Sequence, residues 1–555
     1  MANYNYVKKR MTAMEAERDT WEDHWQQILD YVMPRKADIT FVRSQGEART
    51  EVLFDSTAIT ANNLLASSLH GTLTSPSLQW FHLKLRNDAL NQERDVQLWL
   101  EDSARKMYDV FNETNFNTEV HELYLDLCSI GTGAIFVEEA AKGFDVEGIH
   151  FNTLHISEFY IRENINGRVD TLYRRYKLTA RQAVQEFGED NLGEKVLESL
   201  EKKPDKEFVF IHAVEPTEDY ERGSGETADT KLPFHSCHVC EEDQMVVRVG
   251  GYNEFPYLVP RWAKATGESF GRSPSFNALP DIKTLNKAVE IGLKAWAKAI
   301  DPPLLVTDDG VIGRVRVTPG GLTVVRSDGA VRPLQVATNW QITDMKENQL
   351  RAAIRQAYYS DQLQLQSGPQ MTATEVQVRY ELMQRLLGPT LGRFQSEFLN
   401  PLIERVFGIM FRNNAFLSAP EVIEGTKIDV EYVGPLARSQ RMEESLAIDR
   451  LYQLAMQVGQ IDPTIMDNID HDEAVRMRGK LLGVPKTVMR GTDEVLEIRQ
   501  ARAQQQQIQQ QMLMQQKQAE MALTQSQAMK EMGKPETIEG FDRAEERARE
   551  EGFIE

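Results

Sequence analysis

The strongest constraint in this sequence comes from two helix-forming segments that are separated by a short stretch rich in turns. The first segment, residues 276–301, carries Pro280-Asp281 near its start, where proline fits the first helical turn and an acid is favourable. It ends at Asp301-Pro302-Pro303, because proline cannot continue a helix. The sequence therefore predicts a helix, an insert of residues 302–339 and a second helix over residues 340–363, in succession.

The first of these helices is predicted to have two different faces. At 100° per residue its apolar side chains share one face, which comprises Leu285, Val289, Leu293, Trp296 and Ile300. Four lysines fall on the opposite face within about 60° of arc, and they are Lys283, Lys287, Lys294 and Lys298. A charged stripe is usually a solvated helix face, so the lysines alone do not identify a binding site.

The insert between the helices has a different character. Its β-branched runs are Leu304–Val306, Val315–Val317, Leu322–Val325 and Val331–Val336. Turn signals alternate with them, namely Asp308-Asp309-Gly310, Thr318-Pro319-Gly320-Gly321 and Ser327-Asp328-Gly329. This alternation predicts a compact β-rich insert.

The rest of the chain is predicted to be α+β and mainly helical. An opening helix ends at Pro34, and residues 78–260 mix helices with short β-branched or aromatic runs. A long helical segment from about Thr372 to Arg412 is expected to kink or break at Gly388-Pro389 and near Asn400-Pro401.

The C-terminal residues have a biased composition. Residues 436–499 have the pattern of a helical bundle, and 13 of the 31 residues from 500 to 530 are Gln. This tract could form a coiled or barrel-forming helix in an oligomer, or it could be disordered. Residues 531–555 carry nine acids against four bases, which is typical of a solvated tail.

Charge and cysteine content limit the classes of partner. Of 555 residues, 63 are Lys or Arg and 84 are Asp or Glu, so the formal net charge is −21. Tight, non-specific DNA binding depends on Lys and Arg neutralising phosphates, which disfavours a free-standing DNA binder. No apolar run approaches the roughly 18 residues of a membrane helix, and no secretory signal is recognisable. Three cysteines cannot build a disulfide framework, which indicates a reducing, cytosolic site of assembly.

Ser269 lies in Gly267-Glu268-Ser269-Phe270-Gly271, which matches the G-x-S-x-G pattern of a serine hydrolase. That pattern needs a strand before the serine and a helix after it, and Arg272-Ser273-Pro274 is poor for an immediate helix. The only later histidine is His471, in the separate helical region. A Gly-rich connector accounts for the segment better, and a hydrolase centred on Ser269 stays as an alternative.

Cys237 and Cys240 form a C-x-x-C next to His235 and His238. A zinc site of this kind needs a turn between the cysteines and a second ligand pair, and the sequence has neither. On a strand the two cysteines would point to opposite faces. Walker-type and metalloprotease motifs are also missing. The sequence therefore predicts no metal, no cofactor and no catalytic residue, and we do not expect an enzyme.

Several short motifs resemble the head-to-tail connector, or portal, proteins of short-tailed phages, of the podovirus and autographivirus-like kind. They follow the family's order over about residues 15–440, and they are Arg18-Asp19-Thr20-Trp21-Glu22, Ile130-Gly131-Thr132-Gly133-Ala134, Pro260-Arg261-Trp262, Gly271-Arg272-Ser273-Pro274, Ala278-Leu279-Pro280-Asp281-Ile282-Lys283, Pro302-Pro303 and Met371-Thr372-Ala373-Thr374-Glu375-Val376. Each motif is modest alone, and together they are specific. Phe270 stands where such proteins often have tyrosine.

The resemblance implies a portal fold with wing, stem, clip and crown, assembled as a ring that is typically a dodecamer. It divides the chain into residues 1–275 as the N-terminal α+β part of the wing, 276–301 as stem helix 1, 302–339 as the clip, 340–363 as stem helix 2, 364–371 as a channel loop, 372–435 as a long kinked helix with the remainder of the wing, 436–499 as a helical crown, and 500–555 as a Gln-rich helix or barrel with an acidic tail.

The resemblance also implies partners and a place of action. The ring would sit at a capsid vertex of the virion, after assembly in the host bacterial cytoplasm, without contact to a membrane. Its partners would be further copies of the chain, double-stranded DNA that passes non-specifically, the terminase large subunit, a tail adaptor protein, and the major capsid and scaffolding proteins. Its function would be genome packaging, tail attachment and DNA ejection.

Two sets of site residues follow from this resemblance. The set expected near the channel and the DNA is Lys283, Lys287, Lys294, Lys298, Gln364, Gln366, Ser367, Gly368 and Gln370. The set expected to dock terminase and adaptor is Asp308, Asp309, Arg314, Arg316, Arg326 and Asp328. A solvated outer face remains open for the lysines, and an ordinary helix–helix turn between subunits remains open for the loop. A Gln-rich cytosolic scaffold that never contacts DNA is the second functional alternative.

Overall fold

The computed structural model describes residues 4–44, 46–77, 79–87, 90–139, 148–228, 230–307, 310–317, 322–334, 340–363, 387–420, 423, 428–432, 435–459, 463–482, 484 and 488–532. The chain divides into two compact units, Met1–Ala447 and Ile448–Glu555. None of the described helices combines the length and apolar character that a membrane span requires. The predicted mixture of helices and strands is confirmed.

The first unit contains both long and short helices. They are α1 (Tyr4–Val32), α2 (Thr57–Leu73), α3 (Arg94–Glu113), α4 (Phe116–Ile130), α5 (Ala180–Phe187), α6 (Glu194–Lys202), α7 (Thr217–Ser224), α8 (Pro274–Ile300), α9 (Trp340–Ala357), α10 (Ser360–Leu363) and α11 (387–412). Helix α4 contacts α1, α2, α3 and α8, and its Leu123 and Leu127 are fully buried. It ends at Gly131, whose φ of 81° is the left-handed conformation that glycine adopts readily.

The described strands pair antiparallel and range from 2 to 11 residues in length. They are β1 (Phe81–Leu85), β2 (Ala134–Glu139), β3 (Ile149–Leu154), β4 (Phe159–Glu163), β5 (Val169–Thr179), β6 (Glu207–Pro216), β7 (Phe234–Cys240), β8 (Met245–Tyr252), β9 (Tyr257–Leu258), β10 (Leu304–Val306), β11 (Val311–Ile312), β12 (Val324–Val325), β13 (Val331–Pro333) and β14 (Ile428–Tyr432). The largest sheet has the order β4-β5-β6-β7-β8, and a three-stranded sheet has the order β3-β2-β9. Strand β1 pairs with β14, so distant parts of the chain close one sheet.

The main core lies where the long helices meet the three-stranded sheet. Trp25, Phe111, Phe116 and Phe151 are among its fully or almost fully buried aromatic side chains. Burial of an apolar side chain of this size contributes about 1.5–3 kcal/mol. This core is the body to which the central helices are attached.

Helix α8 begins two residues before the predicted segment, at Pro274. Ser273 caps it, since its Oγ accepts a hydrogen bond from the Ser275 N–H at 3.1 Å, and Pro274 occupies the first turn. Pro280, which the sequence placed near the start of the helix, lies inside it. The helix ends at Ile300, one residue before Asp301-Pro302-Pro303.

Helix α11 is interrupted by a π-helical turn. Residues 387–394 are α-helical, Gln395–Leu399 form the π turn, and Asn400–Arg412 continue the helix. Pro401 lacks the N–H that an α-helical turn would use, which accounts for irregularity just before it. The expected irregularity near Asn400-Pro401 therefore takes the form of a π turn, and the helix does not end there.

The second unit, beyond the boundary that falls inside α12 (Pro435–Gly459), contains α13 (His471–Leu482) and α14 (Thr492–Met532). Arg478 pairs with Asp449 at 2.7 Å, and Arg499 pairs with Asp472 at 2.5 Å. The Gln-rich residues 500–530 form part of the single helix α14, whose described side chains are exposed along this tract.

Candidate channel and docking surfaces

Helices α8 and α9 run antiparallel to each other. At the buried end, the Ser275 and Tyr358 hydroxyls are 2.6 Å apart. Further along, Asn286 Oδ1 accepts from the Asp55 N–H at 3.3 Å, and the Asp55 carboxylate accepts from Arg351 Nε at 3.0 Å. Residue numbers therefore rise along one helix as they fall along the other. The β insert connects the two ends that lie far from the core.

A tight backbone junction holds the base of α8. The Gly271 N–H donates to Thr132 Oγ1 at 2.7 Å, and the Trp262 N–H donates to the Gly131 carbonyl at 2.9 Å. A Cβ added to Gly271 would lie only 2.4 Å from the Gly131 carbonyl oxygen, so this approach requires glycine. Ser273 Oγ also donates to the Ser129 carbonyl. Three motifs that carry the family resemblance thus meet at one place and fix where α8 begins.

Arg261 ties this junction to the π turn of α11. Its side chain is fully buried and forms ion pairs with Glu163 and Glu397, the second at 2.6 Å. Glu397 lies in the π turn and also accepts from the Arg261 backbone N–H at 3.0 Å. The pairing satisfies a buried guanidinium, which would otherwise be strongly unfavourable.

The four predicted lysines do not form a free cationic stripe. Lys287 and Lys294 both form ion pairs with Glu290, at 2.8 Å and 2.5 Å. The hydrogen bonds from Lys287 and then Lys294 lower the pKa of Glu290 to about 2. Lys283 Nζ donates to Gln27 Oε1 of α1 at 2.7 Å, and Lys298 is exposed near the end of α8.

The opposite, apolar face of α8 is covered along only part of its length. Leu285 is 1% exposed and Val289 packs against the main core. Further along the same face, Leu293, Trp296 and Ile300 are 50%, 58% and 64% exposed. The sequence predicted the apolar face correctly. It did not reveal that the main core covers this face only as far as Val289.

The predicted docking residues of the insert are partly described. Arg314, Arg316, Arg326 and Asp328 are exposed, whereas Asp308 and Asp309 lie outside the described residues. Strand β10 pairs with β13 and β11 pairs with β12. Exposed apolar side chains lie between the arginines, for example Val317 and Val324 at 69% and 58%. The insert therefore presents a mixed cationic and apolar surface.

The predicted channel loop falls outside the described residues, which applies to Gln364, Gln366, Ser367, Gly368 and Gln370 alike. Helix α9 ends shortly before this loop. Tyr358 is fully buried, and Tyr359 has a φ of 58°, a left-handed conformation that costs energy for a residue with a side chain. These two residues mark the end of α9.

The Ser269 segment lacks the geometry of a hydrolase. Helix α8 begins only at Pro274, so no helix follows Ser269 immediately, as the segment Arg272-Ser273-Pro274 predicted. No strand precedes Ser269 directly either, and its carbonyl accepts a hydrogen bond from Arg261. His471, the only later histidine, belongs to the second unit. This arrangement is a structural connector.

Cys237 and Cys240 are both fully buried on strand β7, and they pack in different clusters. Cys237 lies among Val7 and Met11 of α1, whereas Cys240 packs with Phe187 of α5. Among the described residues, no group of three or more His, Cys, Asp or Glu side chains is placed to hold a metal ion. The C-x-x-C is therefore part of the sheet's packing.

Sequence reasoning missed the residues that fasten α8 to the body. Asn286 accepts from the Phe54 N–H at 2.7 Å and donates to the Val52 carbonyl at 2.6 Å, so one side chain holds the loop before α2. A signal existed, since Asn286 is a polar residue beside the apolar face of α8. Arg261 stood in a recognised motif, but its acidic partners are distant in sequence.

Comparison with known proteins gives a consistent result. The model of a family described as "Bacteriophage head to tail connecting protein" matches residues 5–489. A protein named "Probable portal protein" from Bordetella phage BPP-1 is 32% identical over 516 residues, which cover 90% of this chain and 91% of that protein. The "Portal protein" of Salmonella phage epsilon15 is 29% identical over 534 residues, 94% of each chain.

Among solved structures, a chain in the virion of a native gene transfer agent particle aligns with 82% of this chain and 99% of its own length. The TM-score is 0.35 and the identity is 12%, values too low to establish a common fold. The family model and the relative at 32% identity each span most of the sequence. On these two findings, the chain belongs to the bacteriophage head-to-tail connecting protein family, whose members join the phage head to its tail.

Proposed function

We propose that this chain assembles into a closed ring, a dodecamer, at one vertex of a short-tailed, podovirus-like phage capsid. The ring forms the channel for DNA during packaging and ejection. The observation that carries the proposal is the antiparallel pair of α8 and α9, joined by the β insert at the end far from the core. Such a pair supplies a rigid wall element, with a docking surface at its end.

The dimensions of such a ring suit duplex DNA. Helix α8 has 27 residues, which corresponds to a length of about 40 Å. Twelve helices at roughly 10 Å spacing form a ring about 38 Å across between helix axes. Side chains of about 5 Å on each wall leave an opening of roughly 28 Å, which admits a duplex with clearance.

The charge pattern suits DNA that has to move. Each phosphate neutralised by a lysine or arginine would deepen sequence-independent binding. The chain carries a net charge of −21, and Glu290 pairs with two of the four lysines on α8. We assign this lysine face to the channel side, where paired cations guide DNA without holding it.

The remaining assignments follow the order of the chain. The insert, residues 302–339, docks the terminase large subunit during packaging and the tail adaptor afterwards, through its exposed arginines and apolar side chains. Residues 364–371 form the narrowest part of the channel. The N-terminal α+β region contacts the major capsid and scaffolding proteins, and the helical residues 436–499 form the crown.

The direct test of this function uses a phage that lacks this chain. Its capsids are expected to assemble without packaged genome, and the chain supplied from a plasmid is expected to restore DNA-filled heads. Heads that package normal amounts of DNA without the chain would contradict the proposal.

A further inference from the structure

The apolar face of α8 continues in register beyond the point where its own chain covers it. Ile282, Leu285 and Val289 lie on this face and pack into the main core. Leu293, Trp296 and Ile300 repeat the same spacing, yet each exposes half or more of its side chain. Single chains rarely leave a continuous row of large apolar side chains in water, so this row indicates an external partner.

Helix α9 has an uncharged stripe on the flank that faces away from α8. Ile354 is buried, and Glu347 lies level with Gly292, which identifies the side of α9 that faces α8 and the core. On the opposite side, at 180 ± 40° from Ile354, lie four exposed residues, namely Met345, Gln349, Ala352 and Gln356. This stripe extends over about three turns of helix and contains no charge, although the chain is strongly acidic.

We propose that the apolar row of one copy packs against this α9 stripe of the next copy. The inference rests on the proposed ring and names the contact that closes it. A ring needs two different surfaces on each chain, because its contacts are head-to-tail. The α8 row and the α9 stripe are two such surfaces on one rigid pair of helices, and neither carries a charge that would have to be desolvated.

The occupant is a second copy of this chain because both halves of the contact are present on it. Trp296 supplies a large aromatic anchor of the type that dominates interface energies. Met345 and Ala352 supply adaptable and small side chains, which let two helices approach closely. This contact would join neighbouring copies into a continuous wall.

A pair of matched substitutions tests the contact. Leu293 and Ile291 are two residues apart on α8 and 50% and 56% exposed, but Ile291 lies beside the lysine face. Leu293→Asp is expected to raise the protein concentration at which half of the chains are assembled by tenfold or more. Ile291→Asp is expected to leave assembly within about twofold of the unchanged protein. Sedimentation velocity measures both, with far-UV circular dichroism as the check on folding.

The possible outcomes distinguish a failure of this contact from a failure of the proposed ring. Unchanged protein that stays monomeric would overturn the ring and this contact together. Rings formed by the unchanged protein and equally by Leu293→Asp would overturn only the contact. Equal loss of assembly in both variants would also overturn the contact, because the effect would then not depend on which face of α8 carries the substitution.

Cross-linking provides a second test, whose result does not depend on whether the fold tolerates an introduced charge. Cys128, Cys237 and Cys240 are buried, so the background reaction is low. Leu293→Cys combined with Met345→Cys is expected to give, on mild oxidation, a ladder of covalent oligomers, since a rotation about the ring axis keeps these residues level. Ile291→Cys combined with Met345→Cys is the control. A ladder of equal strength from the control, or none from the first pair, would contradict the proposal.

Discussion

At the scale of single residues, Arg261 is the clearest organiser of the structure. It lies fully buried between Glu163 and Glu397, and it connects the start of α8 with the π turn of α11. The sequence indicated Arg261 through a family motif, but it gave no sign of these acids, which are 98 and 136 positions away. Long-range pairs of this kind leave no periodic pattern, so only the folded chain reveals them.

Removing one acid from this buried network should destabilise the first unit. Glu397→Gln leaves the Arg261 guanidinium with a weaker partner, and charge-assisted hydrogen bonds are worth about 1.5–3 kcal/mol. We expect a loss of about 2 kcal/mol in the free energy of unfolding, measured by urea denaturation. Glu268→Gln removes an exposed ion pair with Arg272 and should cost less than about 1 kcal/mol. Equal losses in the two variants would contradict this account of Arg261.

We expect the buried histidines on strands β6 and β7 to make the stability of the first unit depend on pH. His212 and His238 stack with ring centroids 3.8 Å apart, and His212 contacts the Ser236 and Tyr257 hydroxyls at 2.9 Å and 2.5 Å. Burial, followed by the charge of His238, lowers the pKa of His212 well below its usual value. Burial, followed by Arg248 and Arg174, lowers the pKa of His238 to about 3.

Because these folded-state pKa values are depressed, the unfolded chain binds more protons below about pH 6.5, and stability falls as the pH drops. We expect the thermal midpoint of the first unit to fall between pH 7 and pH 5. His212→Gln keeps hydrogen-bonding capacity but cannot titrate, so its midpoint should fall less over the same interval. An identical decrease in the unchanged protein and the variant would show that His212 does not contribute.

At the scale of elements, the sequence predicted the helix pair and its faces better than their boundaries and partners. The 3.6-residue period identified the apolar face of α8 correctly, since periodicity reports which side chains share a face. The predicted segment begins at residue 276, two residues after the observed start at Pro274, where Ser273 caps the helix. Val315–Val317 was predicted as a strand, yet it is none, and the Arg316 N–H donates to Thr323 Oγ1 instead.

The paired lysines of α8 give a prediction about DNA. Glu290→Gln removes the acid that both Lys287 and Lys294 contact, which frees two cations in each copy. If this face lines the channel, DNA should leave filled particles several-fold more slowly at low salt, and the difference should vanish at high salt. Glu268→Gln, with the same change in charge outside the lysine face of α8, is the control. DNA release that is unchanged at every ionic strength would place the lysine face outside the channel.

The insert should be separable from the body of the chain. Its described strands pair only with each other, so its removal leaves the main core intact. Replacing residues 302–339 with a short Gly/Ser linker should keep the thermal midpoint of the first unit within a few degrees. The shortened protein should no longer bind the terminase large subunit or the tail adaptor in a pull-down. Normal yields of packaged DNA from this variant would contradict the docking role.

At the scale of the whole molecule, two exposed helix surfaces remain that neighbouring copies would cover in the proposed ring. The end of α8 exposes Leu293, Trp296 and Ile300, and the described side chains of α14 are exposed from residue 500 to 527. The sequence predicted both helical segments, but it could not predict which surfaces another copy covers, because that depends on the assembly. Family membership accounts for the connector role, and the proposed ring would account for the exposed surfaces.

Electron cryomicroscopy of the purified full-length protein tests the central claim most directly. We expect closed rings of twelve copies, with one α8 helix of each copy lining a central opening of roughly 28 Å. The mass of the particle in native mass spectrometry should be twelve times 63.4 kDa. Single chains at micromolar concentration across a range of ionic strengths, or assemblies without an axial opening, would contradict the account.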